Sequence, residues 1–154
     1  MSSRPLVTLG LTLVVVLGAL AWLLLRAGST AEITGAADRF TPAPEWTLAE
    51  EIIEPPRLMC IGASVPCPSV HRRYESAALL SAAQLERLGA DAGAEDWTLS
   101  GTCQPDATTT GTYTVCTGEG TIGAYVVTVS QAVHADAAAA GQGPGRLVVS
   151  VEKA

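Results

Sequence analysis

Asparagine is missing from the 154 residues, lysine occurs once, at Lys153, and phenylalanine once, at Phe40. Without asparagine there is no acceptor for N-glycosylation. Imidazole is scarce too, since His71 and His134 are the only two histidines. No run resembles a phosphate-binding P-loop, a dinucleotide fingerprint or an HExxH metalloprotease helix. Ser64, in Gly62-Ala-Ser-Val-Pro66, lacks the second glycine of a nucleophile elbow. Basic charge is thin: from Ala27 onward seven Lys and Arg face fifteen Asp and Glu, a net of −8 within a chain whose formal charge is −6. That balance argues against nucleic acid and against adhesion to anionic lipid, both of which reward basic surfaces.

Charge of either sign is absent between Leu6 and Leu25, LVTLGLTLVVVLGALAWLLL, and so is proline. Twenty helical residues at about 1.5 Å each span roughly 30 Å, the hydrocarbon thickness of a bilayer. We read this stretch as a transmembrane helix and a signal anchor, because it exceeds the apolar length of a cleavable signal peptide. The competing reading is cleavage at the small residues Ser29-Thr30-Ala31, releasing a secreted, inhibitor-like domain that starts near Glu32. The first cysteine, Cys60, is too far from the helix to accept lipid, which sets a lipoprotein aside. Arg4 and Arg26 flank the segment evenly, so the positive-inside rule barely decides its orientation. No Gly-x-x-x-Gly seam appears in it. Trp22 suits an interfacial position as well as an apolar one.

Residues 1–5 are expected to be a short cytoplasmic N-terminus, 6–25 the span, 26–46 a flexible tether and 47–154 an extracytoplasmic domain. The tether reading rests on small and polar residues and on Thr41-Pro42-Ala43-Pro44, where each proline fixes its own φ and keeps the preceding residue out of a helix. The fold expected beyond it is α+β, a small two-layer domain with one helix packed on a four- or five-stranded antiparallel sheet. Pro55-Pro56 points to a short edge strand near Arg57 to Cys60. The helix is expected from about Val70 to Leu88, with Ser69 as N-cap and Gly89 as C-cap. At 100° per residue it places Tyr74, Ala77, Ala78, Ser81, Ala82, Leu85 and Leu88 on one side. Trp97 to Cys103, Thr112 to Thr117, Ile122 to Ser130 and Arg146 to Val151 read as strands by period-two alternation. Turns are expected at Gly118-Glu-Gly120 and Gly141 to Gly145. Short links favour an antiparallel meander, and Val126, Val127 and Val129 suggest a strand covered on both faces.

The four cysteines arrive as two local pairs, Cys60 with Cys67 and Cys103 with Cys116; four cysteines allow three connectivities, and local pairing is favoured because short loops bring each pair together. Spacings of six and twelve intervening residues do not match the short Cys knuckle of structural zinc sites, so disulfides are expected rather than metal, with no cofactor. Disulfides imply an oxidising compartment, which places the domain outside the cytosol. Arginine outnumbering lysine eight to one, together with abundant Ala and Gly, fits a GC-rich bacterial genome and so a bacterial cell envelope.

His71-Arg72-Arg73 is the only basic cluster in an acidic domain. It reads either as the solvated face of a helix or as a contact for a small anionic ligand or an acidic envelope partner. His134 opens a run that reads as exposed spacer, and Trp97, Tyr113 and Tyr125 read as core or cross-strand packing. The function expected is a membrane-anchored binding or accessory module without catalysis. The alternative is an extracytoplasmic hydrolase, which requires a pocket holding His71 or His134 close to a carboxylate and a serine.

Overall fold

A computed structural model describes residues 4–55, 68–76, 78–106, 108–134 and 145–154. Its first helix, α1 (Arg4–Asp38), is 35 residues long and does not end where the apolar run ends. Leu13 to Leu24 leave their large apolar side chains exposed. The helix is long enough and apolar enough to cross a membrane. Its last turns behave differently: Ile33, Ala36 and Ala37, followed by Phe40, are all buried. Positions i, i+3, i+4 and i+7 make the apolar stripe of a helix that packs on a core. The segment expected to be a flexible tether is therefore helical through Asp38, and its later residues are part of the domain. Thr41 Oγ1 donates to the freed Asp38 carbonyl at 2.8 Å, and Pro42 and Pro44 prevent the helix from resuming.

One six-stranded antiparallel sheet follows, against the four or five strands expected. It comprises β1 (Thr47–Glu54), β2 (Ser69–Ser76), β3 (Glu95–Gly101), β4 (Thr112–Ile122), β5 (Tyr125–His134) and β6 (Gly145–Lys153). The order across the sheet is β1-β2-β6-β5-β4-β3. Strands β3 to β6 form the expected meander. The β1–β2 hairpin is added to the far side of β6, with Arg72 opposite both Val149 and Glu51. The edge strand expected near Arg57 lies outside the described residues; the edge observed is β1.

The expected helix over Val70 to Leu88 is half strand. Val70, Arg72, Tyr74 and Ser76 point inward in steps of two, and the helix α2 (Ala82–Asp91) begins only after them. An arginine at an inward position hides the alternation from hydropathy. The N-cap is Ser81 rather than Ser69: its hydroxyl accepts from the Gln84 amide while the Gln84 side chain accepts from the Ser81 N–H, a reciprocal capping box. The helix passes Gly89 and ends at Asp91, with Leu85 and Gly89 buried.

Gly118 and Gly120 lie in the middle of β4 instead of forming a turn. Trp97 lies flat across them: a Cβ on Gly118 would come within 2.7 Å of Trp97 Cη2, and one on Gly89 within 2.6 Å of Trp97 Nε1. The turn is at Gly123, whose φ of +58° suits glycine. Phe40 stacks on Trp97 with ring centroids 5.8 Å apart, so the end of α1 reaches the core beneath the sheet. Val127, Val129, Leu147, Val149 and Val151 are fully buried there, each stabilising the fold by about 1.5–3 kcal/mol. β5 alternates between buried and half-buried positions, so its second face is only partly covered.

Candidate functional site

Because β2 is a strand, its basic cluster is split between the two faces of the sheet. Arg72 faces the helices and is buried. Its Nε donates to Glu51 Oε1 at 2.6 Å, and its Nη2 meets Asp38 Oδ1 at 2.7 Å. Burial alone would lower its pKa, but the hydrogen bonds and charges of Glu51 and Asp38 outweigh burial and raise it. Arg73 points to the opposite face, where Nη1 lies 3.1 Å from Glu50 and Nε 3.7 Å from Glu75. His71 shares that face, with Nδ1 2.9 Å from Ser150 Oγ. The three side chains do not converge on a common point, and both guanidiniums are neutralised within the domain. A solvated helix face does not describe them either.

His71 and Ser150 make half of a hydrolytic constellation. His71 Nε2 is buried and has no hydrogen-bond partner among the described residues, so none of their carboxylates orients the ring in the manner of a triad. His134, at the exposed end of β5, lines a separate cavity of about 360 Å³ with Glu75, Thr112, Ala132, Val133, Gly145 and Arg146. Among the described residues the lining of that cavity has a carboxylate and a threonine but no serine. Among the described residues no group of three or more His, Cys, Asp or Glu is arranged to hold a metal ion.

Cys103 and Cys116 are joined by a disulfide with Cα atoms 4.7 Å apart, in keeping with local pairing of these two. The bond ties the chain just beyond β3 to β4, where Gly101 is the register partner of Cys116. Both cysteines are buried. Cys60 and Cys67 lie outside the described residues. Beside the disulfide, the fully buried Gln131 of β5 holds the link before α2: Leu80 N–H donates to Gln131 Oε1 at 2.8 Å, and Gln131 Nε2 donates to the Leu80 carbonyl at 2.9 Å.

Sequence reasoning missed Gln131 and the two carboxylates that neutralise Arg72. For Asp38 the signal was its place in the chain, between Ala37 and Phe40, two members of the buried stripe. The other unanticipated feature is β1. Outside α1, and among the described residues, the large apolar side chains most exposed are Leu48, Ile52 and Ile53, all in this one edge strand.

The class these features define is an α+β domain, a six-stranded antiparallel sheet entered by a helix of membrane-crossing length and apolarity. Compared with protein-family models, with curated proteins and with solved structures, the chain matches none.

Proposed function

We propose that this chain is a binding or accessory module of a bacterial cell envelope, anchored by a single membrane helix, with its disulfide-braced domain outside the cytosol and without catalytic activity. The observation that carries this reading is the continuity of α1. The same helix holds the uncharged twenty-residue run and the buried residues Ile33, Ala36 and Ala37, so the domain rides on its anchor without a flexible joint. Retention is favoured over release because a cut near Glu32 falls inside a continuous helix. The Cys103–Cys116 bond supports an oxidising compartment, and the acidic balance supports a protein partner over nucleic acid or lipid surface. Non-catalytic action is favoured over hydrolysis because, among the described residues, no carboxylate orients His71 and no serine lines the His134 cavity.

The test is alkaline extraction of native membranes followed by N-terminal sequencing. Retention predicts that the protein stays in the membrane pellet with residues 6–25 intact. Soluble protein that begins near Glu32 would replace this reading with that of a released domain.

A further inference from the structure

The edge of β1 is built unlike the other edge of the sheet. β3 is interrupted by a register shift between Glu95 and Thr98 and by a positive φ at Asp96, and its outer residues include Thr98 and Ser100. Such devices blunt an edge against further pairing. β1 has one register shift, between Leu48 and Glu50, and is regular from Glu50 to Glu54. Leu48 is 51% exposed, Ile52 47% and Ile53 37%. Among the described residues no strand pairs with the outer side of β1, and an apolar open edge is a template for another strand.

Charge selects what that strand is. Arg72 is shared between Asp38 and Glu51, and Arg73 between Glu50 and Glu75. Four carboxylates share two guanidiniums here, a surplus of negative charge, and β1 itself carries no basic residue. A second copy is a poor occupant. Two β1 strands related by a two-fold axis normal to the sheet keep their faces matched, so the longest overlap of the regular stretch is centred on Ile52 and sets Glu50 against Glu54 twice. Like charges directly opposite destabilise a strand pair.

We propose that β1 accepts an extended segment of a partner protein by antiparallel strand addition, with two adjacent basic residues opposite Glu50 and Glu51 and apolar residues on either side. The inference rests on the reading of this chain as a binding module and names the class of partner. Main-chain hydrogen bonds supply the pairing. Leu48 and Ile53 on one face and Ile52 on the other receive the apolar side chains, and the carboxylates set register.

The experiment uses the full chain in nanodiscs of neutral lipid and a serine-flanked peptide with the core Val-Val-Lys-Lys-Val-Val, at up to millimolar concentration. Hydrogen exchange is read at the β1 amides that point away from β2. The expected result is slowed exchange there, weakened by salt, and absent with Val-Val-Glu-Glu-Val-Val. The charge-neutral double variant Leu48→Thr, Ile52→Thr keeps strand-forming residues and is expected to lose affinity by about tenfold or more through lost apolar burial. Near-ultraviolet circular dichroism checks that this variant is folded. Equal protection by both peptides, no protection by either, undiminished binding to the double variant, or β1 protection arising from self-association would each overturn the proposal. None of those outcomes alters where the protein fractionates, so the anchored-module reading is judged separately.

Discussion

Arg72, at the middle of β2, closes an ion pair of 2.7 Å with Asp38, the last residue of α1. Through it, and through the stack of Phe40 on Trp97, the helix that carries the apolar run is fastened to the sheet. The Arg72 side chain is only 10% exposed, whereas Asp38 is 62% exposed, so the two partners contribute unequally. Arg72→Met keeps the apolar stem but removes charge-assisted bonds to both carboxylates, and is expected to cost about 1.5–3 kcal/mol. Asp38→Asn leaves Glu51 in place and is expected to cost less than about 1 kcal/mol, as exposed ion pairs do. Urea unfolding followed by Trp97 fluorescence checks both; equal losses would show that Asp38, not burial of Arg72, carries the contact.

Where α1 leaves the sheet, the Tyr125 hydroxyl donates to Glu32 Oε2 at 3.3 Å. Burial first, then the Glu32 hydrogen bond and charge, raise the phenol above its ordinary 10.0. The folded state then holds this proton more tightly than the unfolded chain does. Its contribution to stability is fully present below about pH 10 and is lost as pH rises through the folded value. In an ultraviolet titration Tyr125→Phe is expected to remove a component that ionises late. Glu32→Gln is expected to shift it downward. A titration whose late part is the same with and without Tyr125→Phe would contradict the assignment.

The same contact sets which end of the sheet faces the bilayer if α1 is the anchor. Glu32 is seven residues past Leu25, about 10 Å along the helix axis, so the Gly123-Ala124 turn lies nearer the membrane than Thr112 and His134 at the other end of β4 and β5. The two ends are separated by roughly 30 Å of strand. A fluorophore on Ala124→Cys is expected to be quenched by headgroup-bound quencher more strongly than one on Thr112→Cys. Equal or reversed quenching would show that the helix does not continue into the domain as described.

Much of the sheet is readable in the sequence because its inward positions are apolar. Leu147, Val149 and Val151 announce β6, and Trp97 and Leu99 announce β3. β2 is not readable in that way, because Arg72 occupies an inward position and is made tolerable there only by two carboxylates distant in the chain. The end of α1 was obscured differently. Ile33, Ala36, Ala37 and Phe40 have helical spacing, but glycine, threonine and two nearby prolines give the segment the composition of a linker. Gly118 and Gly120 look like a turn because glycine favours turns, whereas their role is to leave room for an indole from the neighbouring strand. Of the candidate site, the Cys103–Cys116 pair was legible from spacing. The exposed edge of β1 was not, because pairing partners set exposure.

Gly118→Ala tests that role for the glycines. The added methyl meets Trp97 rather than open space, and overpacking of this kind is expected to cost about 1–3 kcal/mol. The part of the tryptophan emission that Trp97→Phe removes is expected to shift as the ring tilts away from Phe40. An alanine at Gly35, where nothing lies within 4 Å, is the control and is expected not to destabilise. Loss of stability in both would point to backbone effects instead of the indole.

Gln131 offers a test of the polar core. Gln131→Leu has similar size but leaves the Leu80 N–H and carbonyl without their side-chain partner, which is expected to cost about 1–3 kcal/mol. Thermal unfolding of the oxidised protein measures it. An unchanged midpoint would mean that the link before α2 finds other partners at no cost.

Outward placement of the domain is the central claim, and the thiol state of the protein in its own cell tests it most directly. Cells are quenched in acid, free thiols are alkylated before reduction, and the intact protein is weighed. The account predicts no label on Cys103 or Cys116 until reductant is added, together with a mass that retains residues 6–25. Both cysteines found labelled before reduction would place the domain in a reducing compartment and contradict it.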